Sequence, residues 1–225
     1  MTTPTMSPEQ RRAQAVATFR AENGRDPRTL LDSSGHPQPR ERLDAERLAA
    51  WVERLEPGAS EALRLASWCQ HLRRWEVPRA EYEPGRIGYL KWRKALARFH
   101  ADQAEKILSA LGYDSAVLEA VRRIQLKQGL TTEADVQTME DALCLSFLEH
   151  ELAAFSREHA DDKVIDIIAK TWRKMSERGH EQALRLPLGE RELVLVKAAL
   201  AGPAPSGPAP AASEESASEE SAGKE

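Results

Sequence analysis

Apolar residues recur every three to four positions through most of the first 201 residues, and no segment sustains the alternation of a β-strand, so the pattern predicts an all-α fold. The first helix has the clearest start. Ser7-Pro8-Glu9-Gln10 supplies an N-cap, a proline at the first helical position and a capping-box glutamine, and Gly24 follows the end at about Asn23. Residues 24–40 hold three prolines and two glycines and read as a loop. A helix over about 40–56 carries Leu43, Leu48, Trp51, Val52 and Leu55 and stops at Pro57-Gly58. Ser60 caps the next, about 61–76, with Leu65, Trp68, Cys69, Leu72 and Trp75. Pro78, Pro84 and Gly85 mark a loop over 77–85. A long helix then runs to Leu111, and another, about 115–128, places Val117, Leu118, Val121 and Ile124 before Gly129. One more covers about 136–159. Asp161 or Asp162 caps a helix bearing Val164, Ile165, Ile168, Trp172 and Met175 that Gly179 closes, and one or two short helices finish near Leu200. The expectation is about eight helices in a single compact domain, 1–201.

From Gly202 to Glu225 the chain has no large apolar residue, which predicts a disordered Ala/Pro/Ser/Glu tail. That segment holds five Glu and one Lys; removing them from 36 acidic and 32 basic residues leaves 31 of each. The formal net charge of −4 therefore belongs to the tail, and the body is neutral. A neutral body argues against general nucleic-acid binding. Neutrality conceals a polarisation, however. Residues 71–100 carry eight basic and three acidic side chains, whereas 129–162 carry nine acidic ones and a single base, Arg157. Either the two stretches face each other, or the basic one lines a site for an anion. Cys69 and Cys144 form no metal-ligand spacing and no disulfide framework, and suit a reducing compartment. The N-terminus lacks the apolar core of a secretion signal, and no run approaches the roughly 18–20 apolar residues of a bilayer span. A cytoplasmic protein with no membrane partner is expected.

Three polar side chains interrupt the predicted packing faces. His71 lies between Trp68 and Trp75 at helical spacing, His100 falls on the stripe of Leu96, Ala104, Ile107 and Leu111, and Asp141 heads Leu145, Leu148 and Leu152. Burying such groups without partners is costly. Each is thus either a satisfied core residue or a ligand in a site. Together, two neutral imidazoles and a carboxylate make a candidate set for a divalent metal. The basic stretch is Arg73, Arg74, Arg79, Arg86, Lys91, Arg93, Lys94 and Arg98, interleaved with Tyr82, Tyr89, Trp92 and Phe99. Guanidinium forks match phosphate oxygens and aromatic faces stack on planar rings, although a solvated amphipathic face has the same composition. Lys170, Trp172, Arg173, Lys174 and Arg178 form a second cluster of this kind. Neither GxxxxGK[ST] nor GxGxxG occurs. Lys174-Met175-Ser176-Glu177-Arg178 looks like the KMSKS loop of class I aminoacyl-tRNA synthetases, but a HIGH string and predicted strands are missing, so synthetase activity is not expected.

Several strings in combination resemble one family: Gln70-His71-Leu72-Arg73-Arg74-Trp75-Glu76, Arg86 to Arg93, Phe99-His100-Ala101, Gln137 to Ala142, and Lys170 to Ser176. They are similar, over roughly residues 10–200, to the family called domain of unknown function four-two-zero-two, some fungal members of which carry a glutamyl-tRNA synthetase label. The resemblance implies no particular activity. More loosely, the helix order and the placement of His71, His100 and Asp141 resemble the HD superfamily of metal-dependent phosphohydrolases, which implies an HD-like helical core. In that pattern Leu72 stands where a metal-binding Asp belongs, and the first His is replaced, with Asp44 or Glu46 the nearest polar residue.

The leading functional expectation is recognition of a small phosphorylated ligand such as a nucleotide. Arg73, Arg74, Arg86, Arg93 and Lys174 would hold the anion, and His71 and His100 would line the pocket. The alternatives are a divergent HD-type phosphohydrolase with its metal on His71, His100 and Asp141, and a protein-interaction module without a small-molecule site.

Overall fold

The capping box of the first helix forms as its residues dictate. The Ser7 hydroxyl accepts from the Gln10 N–H at 3.2 Å, and the Gln10 side chain accepts from the Ser7 N–H at 2.9 Å. The computed structural model describes residues 6–202, and the predicted tail from 203 onward lies outside them. Within the described residues, α1 (Pro8–Asn23) is followed by β1 (Thr29–Leu31), β2 (Pro37–Pro39), α2 (Arg40–Leu55) and α3 (Glu61–Cys69). Then come α4 (Gly85–Ala110), α5 (Ser115–Gln125), α6 (Ala134–His150), α7 (Leu152–Glu158), α8 (Asp161–Trp172), α9 (Glu177–Ala183) and α10 (Glu190–Ala201). The all-α class holds. Among the described residues there are ten α-helices, and none is long and apolar enough to cross a membrane. Cys69 and Cys144 are both buried thiols.

Four local features depart from the sequence pattern. The loop after α1 contains an antiparallel hairpin that pairs Thr29 with Pro39 and Leu31 with Pro37. Strands of three residues are too short for alternation to show. At the hairpin tip, one Asp32 oxygen accepts from the N–H groups of Ser34 and His36. The helix predicted to reach residue 76 ends at Cys69; Arg73 then takes a left-handed conformation, φ 58°, ahead of a 3₁₀ turn over Arg74–Glu76. Trp68, His71 and Trp75 therefore share no helix face. The helix predicted over 136–159 breaks at Glu151, and the one predicted to close at Gly179 stops at Trp172, because Ser176 caps a new helix, α9.

The chain packs as two compact units, one through Met139 and one from Glu140, with the boundary inside α6. The first unit is organised around α3, which touches α1, α2, α4 and α5. Its side chains Ala62, Leu63, Leu65, Ala66, Ser67 and Cys69 are all buried. Phe19 from α1, Leu48, Val52 and Leu55 from α2, and Val121 and Ile124 from α5 are buried as well. In the second unit α8 packs on α10 and α7, with Val164, Ile167, Ile168, Leu195 and Phe155 buried.

The C-terminal end of α3 and the turn after it are largely buried, and their carbonyls lack helical partners. Three side chains from three other helices meet carbonyls here, two at the end of α3 and one at Leu72 in the turn that follows. The Asn23 amide donates to Trp68 O at 3.0 Å, the Gln125 amide to Cys69 O at 2.8 Å, and His100 Nδ1–H to Leu72 O at 2.7 Å. A carbonyl only accepts, so the proton of the His100 ring sits on Nδ1. Replacing Gln125 by Met keeps the volume and removes the donor. Urea unfolding should show a loss of about 1–3 kcal/mol; an unchanged midpoint would mean the Cys69 carbonyl needs no side-chain donor.

Candidate functional site

α2 begins at Arg40, directly after Pro39, which offers its first turn no side-chain cap. Asp26, in the turn after α1, supplies one from a distance: its Oδ2 accepts from the Glu41 N–H at 3.1 Å. The same carboxylate, wholly withdrawn from solvent, is gripped by Arg28, whose Nε and Nη2 reach Oδ1 and Oδ2 at 3.0 and 3.1 Å. Arg28 Nη2 also donates to Glu41 Oε1 at 2.7 Å. Glu41 is 2% exposed, and on its other side His71 Nδ1 stands 3.9 Å from Oε2. Burial raises the proton affinity of the Glu41 carboxyl above the ordinary carboxylate range; His71, Arg74 and Arg28 oppose that shift and Asp44 adds to it. Asp44, one turn along α2, is shared by Arg40 at 3.5 Å and Arg47 at 3.4 Å.

Three carboxylates, Asp26, Glu41 and Asp44, thus face the guanidiniums of Arg28, Arg40, Arg47 and Arg74, together with His71. Four guanidiniums and an imidazole gather around three carboxylates. Asp26 and Glu41 are withdrawn from solvent, whereas Arg28 and His71 are partly exposed, at 35% and 22%, and His71 stands at the rim next to Arg73 and Arg74. Beside it, the Arg74 guanidinium lies 5.0 Å from the Trp92 ring centroid, and Trp92 is anchored by its indole N–H to Val77 O at 2.9 Å. Arg73 pairs with Glu76 at 2.7 Å, with Glu22 at 3.8 Å and with the Gln103 oxygen at 3.4 Å.

The residues singled out in the sequence separate into groups. His71 and His100 come together, ring centroids 6.1 Å apart in an edge arrangement, and Arg73 and Arg74 follow His71 in the chain. Arg93 lies over the Tyr89 ring at 5.9 Å, one residue past Trp92. Arg86 is exposed on the first turn of α4. Lys174 and Asp141 belong to the second unit, where the Lys174 ammonium, 14% exposed, stands 3.7 Å from the buried Glu140 carboxylate. Asp141 accepts from both the N–H and the hydroxyl of Ser176, and Ser176 in turn caps α9 by accepting from the Gly179 N–H at 3.2 Å. The KMSKS-like string is therefore a turn and a helix start, and a Cβ at Gly179 would meet Asp141 Oδ1 at 2.8 Å. Among the described residues, no group of three or more His, Cys, Asp or Glu is arranged to hold a metal ion.

Asp26, Arg28 and Glu41 were not anticipated from the sequence. A signal for Glu41 was present: with Ala45, Leu48, Val52 and Leu55 it shares one helical stripe and heads it, as Asp141 heads its own. Asp26 and Arg28, in a loop, have no periodicity to betray them.

Residues 13–196 match the family described as Domain of unknown function (DUF4202). No curated protein and no solved structure matches the chain.

Two measurements test these assignments. Because the Glu41 pKa is raised in the folded state, the folded protein resists ionising this group more than the unfolded chain does. Its contribution is greatest at acid pH and is lost as pH rises through the carboxyl titration. The unfolding free energy of the wild type minus that of Glu41→Gln should fall over that window in urea titrations at stepped pH; a flat or rising difference would refute the shift. Asp141→Ala should lower stability by about 1–3 kcal/mol through the lost Ser176 contacts, by the same amount with and without a chelator. A loss confined to chelator-free buffer would make Asp141 a ligand instead.

Proposed function

The chain belongs to the DUF4202 family, and for this member we propose that the first unit binds a small phosphorylated ligand at the rim formed by His71, Arg73 and Arg74. The observation that carries the reading is the gathering of cations around the buried Glu41 carboxylate, with a partly exposed imidazole and an aromatic-backed guanidinium at its edge. Ion pairs within the cluster hold the cations in place before an anion arrives, which reduces the ordering cost of binding. The Arg74 fork over Trp92 suits bidentate contact with phosphoryl oxygens. Arg86, Arg93 and Lys174 are not part of the proposed site.

Inorganic phosphate and adenosine monophosphate are suitable probes, read by calorimetry on the full chain. Arg73→Ala combined with Arg74→Ala should weaken binding at least tenfold, as loss of one or two hydrogen bonds to a charged group, worth about 1.5–3 kcal/mol each, requires. Equal affinity in the double variant, or no heat with either probe in the wild type, would overturn the assignment.

A further inference from the structure

The first half of α4 packs by one side. Gly88, Trp92 and Leu96 are buried, and the loop before the helix presses so closely that a Cβ at Gly88 would lie 1.8 Å from the Glu83 carbonyl oxygen. That contact fixes which side faces outward. Arg86, Ile87, Leu90, Lys91, Lys94 and Arg98 all fall on the opposite arc, within about 140° at the 100° advance per residue of an α-helix. Ile87 is 70% exposed and Leu90 is 43% exposed, one turn apart, with cations on both sides of them. No acidic residue occurs between Glu83 and Asp102. Lys91 has Glu83 at 3.7 Å, whereas Arg86, Lys94 and Arg98 form no ion pair among the described residues.

Scattered exposed leucines need no explanation, but two large aliphatic side chains set in an all-cationic helical face are a different matter. A phosphorylated small molecule uses the cations and gains nothing from Ile87 and Leu90. We propose that this face of α4 docks an acidic amphipathic segment of a partner protein, helix against helix. Ile87 and Leu90 would form the apolar contact, and Arg86, Lys91, Lys94 and Arg98 would meet carboxylates along its edges. Charge complementarity then selects the partner and speeds encounter, while the aliphatic pair supplies the desolvated centre that holds it. The site is separate from the His71 rim and does not depend on the function proposed there.

The test is fluorescence anisotropy of the full chain with a labelled amphipathic peptide of Glu, Leu and Ala. Its controls are the same peptide with Lys for every Glu, and oligoglutamate. The acidic amphipathic peptide should bind, the Lys version should not, and oligoglutamate should bind at least about tenfold more weakly. Ile87→Ser with Leu90→Ser, at exposed positions that leave the fold intact by circular dichroism, should weaken binding by a similar factor. Lys94→Ala with Arg98→Ala should weaken it and flatten its salt dependence. Failure to bind, equal binding by either double variant, or equal binding of oligoglutamate would overturn the proposal. So would binding that appears only after residues 203–225 are removed, since the chain's own acidic segment would then be the occupant. Sedimentation with phosphatidylserine vesicles in the absence of peptide binding would assign the face to a lipid surface instead.

Discussion

Burying α3 among four other helices removes water from its C-terminal end, and the first unit is arranged around that requirement. An orphaned carbonyl costs about 1–3 kcal/mol, a large share of the stability of a domain this size. Asn23 and Gln125 remove the cost at Trp68 and Cys69, the last residues of α3, and His100 does so at Leu72 in the turn beyond; each donor comes from a different helix. These contacts fix α1, α4 and α5 against the end of α3 and the turn after it as directional bonds, which apolar packing alone does not do. His100 is thereby held against the chain that carries His71, Arg73 and Arg74.

Remote capping recurs at other helix ends. α2 starts after a proline and takes its cap from Asp26, fifteen residues earlier in the chain. In the second unit Asp141 steadies Ser176, which caps α9. The candidate site of the first unit grows out of the Asp26 cap. Arg28 is drawn in to neutralise that carboxylate, Glu41 follows as the second partner of Arg28, and His71 and Arg74 approach Glu41 from α3's far end. A structural need at a helix terminus thus brings charge to a place where an anion can use it. The exposed face of α4 arises differently, from the close seating of Gly88 beneath Glu83.

Much of the architecture was legible in the residue pattern. Caps at Ser7 and Ser60, glycines at 24, 112 and 129, and apolar stripes at helical spacing located most of the helices to within a few residues. The ends of α3 and α8 were misjudged because their apolar periodicity continues past the last helical residue. Packing and a left-handed Arg73 ended one, and Ser176 restarted the chain after the other. The hairpin after α1 was hidden by strands only three residues long. His71, His100 and Asp141 stood out because each breaks an apolar stripe. The pattern could not say that His100 serves a backbone carbonyl or that Asp141 serves a helix start, since both partners lie far away in sequence.

The sequence by itself determined the helical class, the neutrality of the body and the segregation of basic from acidic stretches, because each is a property of composition or of spacing along one helix. Tertiary structure decided which charges meet. Asp26 to Glu41, His71 to Glu41 and Arg74 to Trp92 are contacts between elements, set by the way helices cross and by the cost of leaving buried polar groups without partners. It also decided which cations stay in solvent. Arg73 is held in place by Glu76 and Glu22 at the rim, whereas Arg86, Lys94 and Arg98 lie on an open face, a distinction that no count of basic residues between 71 and 100 contains.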